Sequence, residues 1–247
     1  MRGLLSAIRI LTIVPIPGRD AGFCATCLPW FPIVGAILGA TSCAIASTLG
    51  PQWPAGAAFL AVAAAVALTG GLHVDGLADA ADGLGGGRDR DTALAIMKDS
   101  RTGAFGVIAV CLALIGRTLA TSSLIVSGAA SWLIIAGAIS RFMQTDMMVR
   151  LPSARPNGTA SALVLGARRW HWALGFLTCA AIVFPIGGIL GLTGLGGALC
   201  VNLGLGAWFR RRVGGVTGDL VGSASEISEV SILLFAAFMN AKGAVLP

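Results

Sequence analysis

Residues 31–49 read FPIVGAILGATSCAIASTL, a run without one charged side chain. A helix of about 20 apolar residues is long enough to cross the hydrocarbon core of a bilayer. Six further stretches of similar character follow along the chain, so the sequence predicts about seven transmembrane helices (six to eight). The predicted spans are Phe31–Leu49, Trp53–Gly70, Gly103–Ile125, Trp132–Val149, Trp172–Leu190, Leu192–Phe209 and Val230–Leu246. We therefore expect an all-α, polytopic helical bundle in a membrane, with residues 1–247 forming one integral membrane domain.

The overall composition supports a membrane protein. Charged residues make up 11% of the 247 residues, against about 25% in an ordinary soluble domain. Hydrophobic residues make up 56%, and the mean hydropathy is +0.86. Too few polar side chains are present to cover a soluble globule of this size, and the hydrophobicity also excludes a disordered chain.

The N-terminal segment differs from the predicted spans. Over Met1–Val14, arginines at positions 2 and 9 alternate with aliphatic side chains such as Leu4 and Leu11. Such a pattern is typical of an amphipathic helix that lies in the membrane interface rather than crossing it. We expect one interfacial helix there.

The basic residues predict the orientation of the bundle. The net charge of +6 could indicate a nucleic-acid partner, but the lysines and arginines are spread between the apolar spans instead of forming one basic face. Fourteen of the 17 fall in the N-terminal segment, which includes Arg19, and in the long loops of one side. Because cytoplasmic loops carry the excess of Lys and Arg, the N-terminus and these loops are predicted to be cytoplasmic, with no nucleic-acid partner.

Most acidic residues fall in two of the predicted cytoplasmic segments, 72–102 and 210–229. In the first, Asp75, Asp79 and Asp82 are spaced i, i+4 and i+7, so a helix would place them on one face. Neighbouring carboxylates repel one another unless a cation lies among them, and such hard oxygen ligands suit Mg²⁺ or Mn²⁺ that bridges a diphosphate. The alternative is a solvated helix end with fortuitous spacing.

The second acidic segment starts with a glycine-rich loop. Its candidate phosphate-binding residues are Gly214, Gly215, Thr217 and Gly218. If a helix starts at Asp219, then Asp219, Glu226 and Glu229 share one face and could complete the metal site. A flexible connector is the alternative for the glycines.

Further polar residues are candidates for substrate contacts. Lys98 and Arg101 flank Asp99 just before a span, where they could neutralise phosphate oxygens or simply anchor the chain at the cytoplasmic face. Arg141 lies within a span and is expected to face the bundle interior or its cytoplasmic mouth. His73 borders the acidic face and could bind a ligand, serve a base, or only pack.

Two blocks of the sequence resemble the cobalamin synthase (adenosylcobinamide-GDP ribazoletransferase) family. They are Gly71-Leu72-His73-Val74-Asp75-Gly76-Leu77-Ala78-Asp79-Ala80-Ala81-Asp82-Gly83 and Ile96-Met97-Lys98-Asp99-Ser100-Arg101-Thr102-Gly103-Ala104-Phe105-Gly106. Shorter blocks that also resemble the family are Thr12-Ile13-Val14-Pro15, Ser140-Arg141, Ala154-Arg155-Pro156 and 214–219 with Glu226 and Glu229. The departures are Asn157, where an acid is expected, and Arg117, where a lysine is usual.

The resemblance implies a function in coenzyme B12 assembly. Members of that family transfer the adenosylcobinamide phosphate moiety of adenosylcobinamide-GDP to α-ribazole, or to its 5′-phosphate, and release GMP. They need Mg²⁺ and lie in the bacterial inner membrane. The resemblance therefore implies these substrates, this cofactor and a lipid bilayer as partners. Membrane anchorage is also compatible with a homo-oligomer or with association with other enzymes of the pathway.

The resemblance and the residue patterns together give a set of roles as hypotheses. The expected metal ligands are Asp75, Asp79, Asp82, Asp219, Glu226 and Glu229. The last three could instead position the attacking hydroxyl of α-ribazole. The expected substrate-binding residues are His73, Arg141, Arg155, Gly214, Gly215, Thr217 and Gly218. Lys98 and Arg101 would hold the charge of the leaving GMP, and Asp82 or Asp99 would take the proton of the attacking hydroxyl.

Two other functions fit parts of the pattern. A CDP-alcohol phosphotransferase or an intramembrane prenyltransferase also presents spaced aspartates to a diphosphate, but the first would need Ala-Arg where this chain has Asp79-Ala80. A cation transporter could use the acids as an ion pathway, although its carboxylates are expected near the bilayer midplane rather than at one edge.

Overall fold

The computed structural model describes residues 2–16, 24–155, 158 and 160–243. Within these ranges the only bridge of β type is an isolated pair, Ser153 with Val216, and all regular elements are helices, as predicted. The helices are α1 Arg2–Leu11, α2 Phe31–Leu49 with a preceding 3₁₀ turn Ala25–Trp30, α3 Pro54–Leu68, α4 Leu72–Gly86, α5 Arg90–Ile96, α6 Ala104–Val126, α7 Trp132–Arg150, α8 Ser161–Gly166, α9 Arg169–Val213 and α10 Gly218–Ala241. The expected N-terminal helix is present as α1.

Four of these helices are long and apolar enough to cross a membrane: α2 with its 3₁₀ turn, α6, α9 and α10. A fifth span results if α3 and α4, which meet at a bend of 86°, are taken together. The described part of the chain is therefore consistent with a helical membrane protein. The predicted number of seven spans is not confirmed by helix length and composition alone.

Helix α7 forms the centre of the bundle, with nearly its whole length buried. It runs antiparallel to α2, because Gly35 faces Gly137 and Gly39 faces Leu133. A Cβ atom on Gly35 would overlap the carbonyl oxygen of Gly137, so the two backbones touch. Small residues at such crossings are the usual means of close helix packing in membranes.

Helix α9 contains both of the spans predicted between Trp172 and Phe209. Its helical conformation is interrupted at Gly188 (φ 54°, ψ −144°), a backbone region that only glycine readily adopts. The chain reverses there, since Trp172 Nε1 and Asn202 Nδ2 donate to the same carboxylate, that of Asp146 in α7, at 2.8 and 2.6 Å. The two arms (residues 169–187 and 189–213) thus pack side by side against α7.

The last helix begins before the last predicted span. Helix α10 begins at Gly218, well before Val230, and the Thr217 side chain accepts a hydrogen bond from the amide of Leu220 at its N-terminus. Glu226 and Glu229 are consequently part of this buried apolar helix and do not lie in a loop. Residues 244–246 of the predicted span lie outside the described residues.

Helix α4 is turned across one end of the bundle. Gly70 (φ 61°) and Gly71 (φ 73°) both have left-handed backbone conformations, and they produce the bend between α3 and α4. The span predicted over Trp53–Gly70 ends at this bend. The acidic residues of α4 therefore lie beside the N-terminal ends of α6 and α10.

Three connections rich in arginine meet at this same end. Arg90 donates to the carbonyl oxygens of Val213 and Ala154, each at 3.0 Å, and Arg212 donates to those of Leu84 and Gly87 at 3.1 and 2.7 Å. The basic segments that the sequence assigns to one side are thus in mutual contact. Arg19 and Asp20, also assigned to that side, lie outside the described residues.

Candidate active site

The two acidic segments meet where α4 crosses α10. A Cβ atom on Gly76 would lie 3.0 Å from the carbonyl oxygen of Asp219, so the two helices touch at this point. Asp79 lies within electrostatic reach of Asp75, Asp82 and Asp219, and Arg155 is the cation that opposes them. Helical spacing in α4 and the first turn of α10 together concentrate negative charge at one place.

Arg155 connects this crossing to helix α5. Its Nη1 lies 3.3 Å from Oδ2 of Asp219, and its Nη2 donates to the carbonyl oxygen of Leu94 at 2.7 Å. The side chains of Arg155 and Asp219 are each about one-quarter exposed (25% and 26%). The pair is thus accessible from solvent, as a site for a soluble nucleotide must be.

The glycine-rich segment determines the position of Arg155. Val216 donates to the carbonyl oxygen of Pro152 at 2.9 Å, and Ala154 donates to that of Val216 at 2.8 Å. A Cβ atom on Gly215 would overlap the Pro152 carbonyl, so this pairing requires glycine. These contacts give Gly215 a structural role in joining the two loops.

The residues on either side of this loop pairing end one helix and begin the next. Gly214 ends α9 in a left-handed conformation (φ 83°). Gly218 is the first residue of α10, and Thr217 Oγ1, besides capping that helix, lies 3.3 Å from Oδ2 of Asp219. The segment is thus a short connector that holds Asp219 in place. Whether it also contacts phosphate stays a prediction.

Asp82 is turned away from the other aspartates and towards α6. Its Oδ2 accepts a hydrogen bond from the amide of Gly103 at 2.6 Å, and its Oδ1 accepts one from Gly106 at 2.8 Å. The residue is buried, with 8% exposure. Its carboxylate therefore caps the N-terminus of α6, where unpaired amides and the helix dipole favour a negative charge.

Glu226 and Glu229 lie deeper in the bundle and are paired with two arginines. Arg117 of α6 contacts Glu226 at 2.9 Å and Glu229 at 2.5 Å, and Arg141 of α7 contacts Glu229. All four side chains are buried, and their charges balance. The structure thus brings these two acids together with each other, each paired with a buried arginine. Their role as metal ligands stays a prediction.

The sequence reasoning missed the importance of Arg117. An arginine inside an apolar span needs a buried partner of opposite charge. Two arginines and two glutamates within predicted helices are the signal that could have revealed this network. Which glutamate pairs with which arginine depends on helix packing, and no local sequence pattern shows that packing.

The loop between α5 and α6 carries the predicted phosphate cations. Arg101 donates to the Asp99 carboxylate through its backbone amide and its guanidinium, at 2.5–3.1 Å, and these bonds lower the pKa of Asp99 to about 2. The Arg101 side chain is nevertheless 87% exposed, and Lys98 is exposed as well. Within the described ranges, neither cation forms an ion pair with the acids of α4.

A cleft of about 280 Å³ opens beside the α4–α10 crossing. Arg9, His73, Asp75, Gln144 and Asp219 contribute its polar lining. The apolar lining includes Leu11, Phe31, Met148, Leu163 and Val221. His73 is 2% exposed, and neither of its ring nitrogens has a hydrogen-bond partner among the described residues.

The donor chemistry of the crossing fits a divalent cation. Asp75, Asp79 and Asp219 are carboxylates close to one another, and Arg155 contacts Asp219. Hard oxygen donors of this kind suit Mg²⁺. No three such side chains in the described ranges already stand in the arrangement of a complete metal site.

Comparisons with known proteins agree with one another. A family model described as cobalamin-5-phosphate synthase matches residues 3–237. A protein of Chlorobium phaeobacteroides named adenosylcobinamide-GDP ribazoletransferase is 37% identical, covering 97% of this chain and 98% of its own. Proteins of the same name from Chlorobium chlorochromatii and Pseudomonas aeruginosa are 39% and 36% identical, covering 96% and 95% of this chain and 96% and 97% of their own. No solved structure matches the chain significantly.

Proposed function

Since the chain belongs to the cobalamin-5-phosphate synthase family, we propose that the reaction takes place where α4 crosses α10. The activity is that of an adenosylcobinamide-GDP ribazoletransferase, a transferase of cobalamin synthesis. The family match therefore decides against the lipid phosphotransferase, the prenyltransferase and the cation transporter. The observation that carries the proposed location is the meeting of Asp75, Asp79 and Asp219 beside an open cleft.

The reaction exchanges one phosphorus–oxygen bond for another. A ribose hydroxyl of α-ribazole attacks the phosphorus next to cobinamide, the anhydride bond to the second phosphorus breaks, and GMP leaves with that bridging oxygen. The hydroxyl proton passes to a carboxylate of the crossing. Because phosphoryl transfer depends mainly on positioning and on electrostatic stabilisation, the enzyme needs no strong base.

Asp75, Asp79 and Asp219 would hold Mg²⁺ in this proposal, with Arg155 balancing part of their charge. When bound there, the cation would supply positive charge that stabilises the charge on the leaving group. Arg155 keeps Asp219 oriented through the pair at 3.3 Å. The α5–α6 loop presents Lys98 and Arg101 to solvent, where both suit the phosphate of the departing GMP.

In this proposal, the remaining candidate acids hold helices or side chains in position. Asp82 holds the N-terminus of α6 against α4 through Gly103 and Gly106. Glu226 and Glu229 hold α10 against α6 and α7 through the two buried arginines. Neither function requires these acids to touch the metal or the substrate. Asp99, already paired with Arg101, orients that arginine.

We also propose seven membrane crossings with the arginine-rich end in the cytoplasm of a bacterial inner membrane. Support comes from α2, α3, α6, α7, the two arms of α9 and α10, which alternate in direction between the charged end and the opposite end. The basic loops that meet at Arg90 and Arg212 agree with the excess of positive charge on cytoplasmic loops. The active site would then face the compartment that contains the nucleotide substrate.

The test compares Asp79→Asn and Asp219→Asn with Asp91→Asn, an exposed acid of α5 that pairs only with the neighbouring Arg90 among the described residues. Purified protein receives adenosylcobinamide-GDP, α-ribazole and graded Mg²⁺, and GMP release is measured. We expect Asp79→Asn and Asp219→Asn to lose at least about a hundredfold in turnover, the order reported for loss of one key electrostatic contact. The control should retain wild-type turnover.

A second readout separates binding of the ion from chemistry. Mg²⁺ should raise the thermal unfolding temperature of the wild type and of Asp91→Asn but not of Asp79→Asn, because a ligand that binds only the folded state stabilises it. Wild-type turnover in both crossing variants, or an equal Mg²⁺ effect on all of them, would refute the location.

A further inference from the structure

The cleft beside the crossing has two chemically different parts. Asp75 and Asp219 line it at the crossing, where the diphosphate is proposed to lie. Its other walls are side chains of α1, α2, α7, α8 and α10 that are mostly apolar. These walls include Leu11, Phe31, Met148, Leu163 and Val221. A ligand that fills the cleft would therefore have one polar end near the aspartates and one apolar end.

His73 is the feature of this cleft that the fold does not explain. It is buried to 98%; the side chain of Gln144 lies within reach of its ring, but among the described residues neither ring nitrogen makes a hydrogen bond of good geometry. A buried polar group without a partner costs about 1–3 kcal/mol, so such groups are rare in folded proteins. The neutral imidazole offers one N–H donor and one acceptor nitrogen. A bound ligand with an acceptor ring nitrogen would satisfy the N–H of the imidazole.

Gln144 lies in the same cleft and is held rigidly. Its Nε2 donates to Ser225 Oγ at 2.9 Å, and that hydroxyl donates to the carbonyl oxygen of Ser140 at 3.2 Å. The chain of bonds fixes the side-chain amide against α10. The cleft thus combines His73 and Gln144 with walls that are mostly apolar and include the one cation Arg9 among the described lining residues, an arrangement typical of sites that fix the orientation of a small aromatic ligand.

The volume of the cleft indicates which part of the two substrates fits into it. Its volume of about 280 Å³ is near the lower end of the range for small-ligand sites, roughly 300–1,000 Å³. The corrin ring of adenosylcobinamide-GDP is far larger than a ligand of that class. Guanine carries several polar groups, whereas the base of α-ribazole is a flat dimethylbenzimidazole whose bicycle and methyl groups are apolar and whose one free ring nitrogen accepts a hydrogen bond.

We infer that this cleft binds the base of α-ribazole, with His73 donating to its free ring nitrogen and the ribose directed towards Asp75 and Asp219. The inference rests on the proposed location of the reaction, because it places the attacking hydroxyl beside the acids of the crossing. It assigns His73 to one of the two substrates. It also assigns the choice of lower-ligand base to the apolar walls, with Met148 and Leu163 among them.

The first test uses His73→Phe, which keeps a ring and removes both nitrogens, and His73→Asn, which keeps a donor. For His73→Phe we expect the KM for α-ribazole to rise about tenfold or more, the effect of losing one buried hydrogen bond, with the KM for adenosylcobinamide-GDP within about twofold. His73→Asn should recover part of the loss. The control is His171→Asn, because the only other histidine caps α9 and does not line the cleft.

A second test changes the size of the cleft and does not require the histidine variants to fold. Leu163→Phe narrows the apolar wall, so it should raise the KM for α-ribazole more than the KM for the same nucleoside without the two methyl groups. Isothermal calorimetry with α-ribazole alone, without Mg²⁺ or the other substrate, should show weaker binding to both Leu163→Phe and His73→Phe than to wild type.

The outcomes separate this inference from the proposed location. Asp79→Asn should lose turnover yet bind α-ribazole as wild type does. If it keeps turnover while His73→Phe binds α-ribazole weakly, the location is wrong and the base site stands. A rise in the KM for adenosylcobinamide-GDP alone, equal rises for both substrates, or unchanged α-ribazole binding in folded His73→Phe and Leu163→Phe would overturn the base site.

Discussion

Asp82 and Gly103 are joined by a hydrogen bond of 2.6 Å, in which the Asp82 carboxylate accepts from the backbone amide that begins α6. The second carboxylate oxygen accepts from Gly106 one turn later. This capping interaction connects the helix that carries the aspartates of the proposed active site to the loop that carries Lys98 and Arg101. It explains two glycines of the sequence block 96–106, since a Cβ atom on either would clash with the Asp82 carboxylate.

Gly106→Ala should therefore destabilise the protein although alanine is the better helix former. The added Cβ would push against the Asp82 carboxylate, and overpacking of this kind costs about 1–3 kcal/mol. The matched control is Gly204→Ala in α9, whose added methyl group meets no described atom within 4 Å and should change stability by less than about 1 kcal/mol. Thermal unfolding in detergent measures both. Equal unfolding temperatures for the two variants would contradict the capping role.

The buried network of Arg117, Glu226 and Glu229 predicts a rescue by a second substitution. Arg117→Met leaves an uncompensated negative charge inside the bundle, which should cost about 3–5 kcal/mol of unfolding free energy. Adding Glu226→Gln restores charge balance, because Arg141 still pairs with Glu229, and most of that loss should be regained. Thermal unfolding of the two single variants and the double variant gives the coupling. Additive losses would show that these side chains do not form one network.

Because Asp99 is paired with Arg101, we expect that the acid limb of the pH dependence of turnover does not arise from Asp99. The pKa of this carboxyl is lowered from 3.8 to about 2 by its hydrogen bonds with Arg101, so any stability that it contributes is present above pH 3.8 and is lost as the pH falls through about 2. Asp99 is therefore ionised throughout the range from pH 4 to 8. Turnover of Asp99→Asn should show the same acid limb as the wild type in that range, even if its magnitude falls. A shift of the limb would identify Asp99 as the titrating group.

The sequence predicted the helices best where an apolar run has clear ends. Helix α2 spans Phe31–Leu49 as expected, since Pro32 favours a helix start and no charge interrupts the run. Helix α10 starts at Gly218, next to the start at Asp219 that the spacing of the acids allowed, whereas the last apolar span was predicted to begin only at Val230 because Glu226 and Glu229 suggested water. Their partners, Arg117 and Arg141, come from helices about 100 residues earlier in the chain, and only tertiary packing reveals that the acids are neutralised inside the bundle.

The candidate site was also predictable only in part. Helical spacing indicated that Asp75 and Asp79 share a face, and the second acidic segment indicated Asp219 as their partner. The direction of Asp82 was not predictable, because its hydrogen-bond partners are backbone amides, which leave no signature except the absence of side chains at Gly103 and Gly106. The cleft was not predictable either, since six helices contribute to it; His73, Asp75, Gly218 and Asp219 stood out in the sequence, but the apolar residues that complete its walls did not.

The pairing of the two loops beside Asp219 predicts that Gly215→Ala impairs catalysis more than folding. A Cβ atom there would overlap the Pro152 carbonyl oxygen and force the two loops apart, so Arg155 would move away from Asp219. Displacements of about 1 Å at a reacting centre can lower rates a hundredfold, and we expect kcat/KM to fall at least about tenfold. Gly86→Ala at the end of α4 is the control, because its added Cβ would make only an ordinary contact with Ile96. GMP release and thermal unfolding are measured on both variants. Wild-type kcat/KM in Gly215→Ala would show that the position of Arg155 does not matter for transfer, whereas a loss in both variants would trace the effect to the general loss of glycine at this end of the bundle.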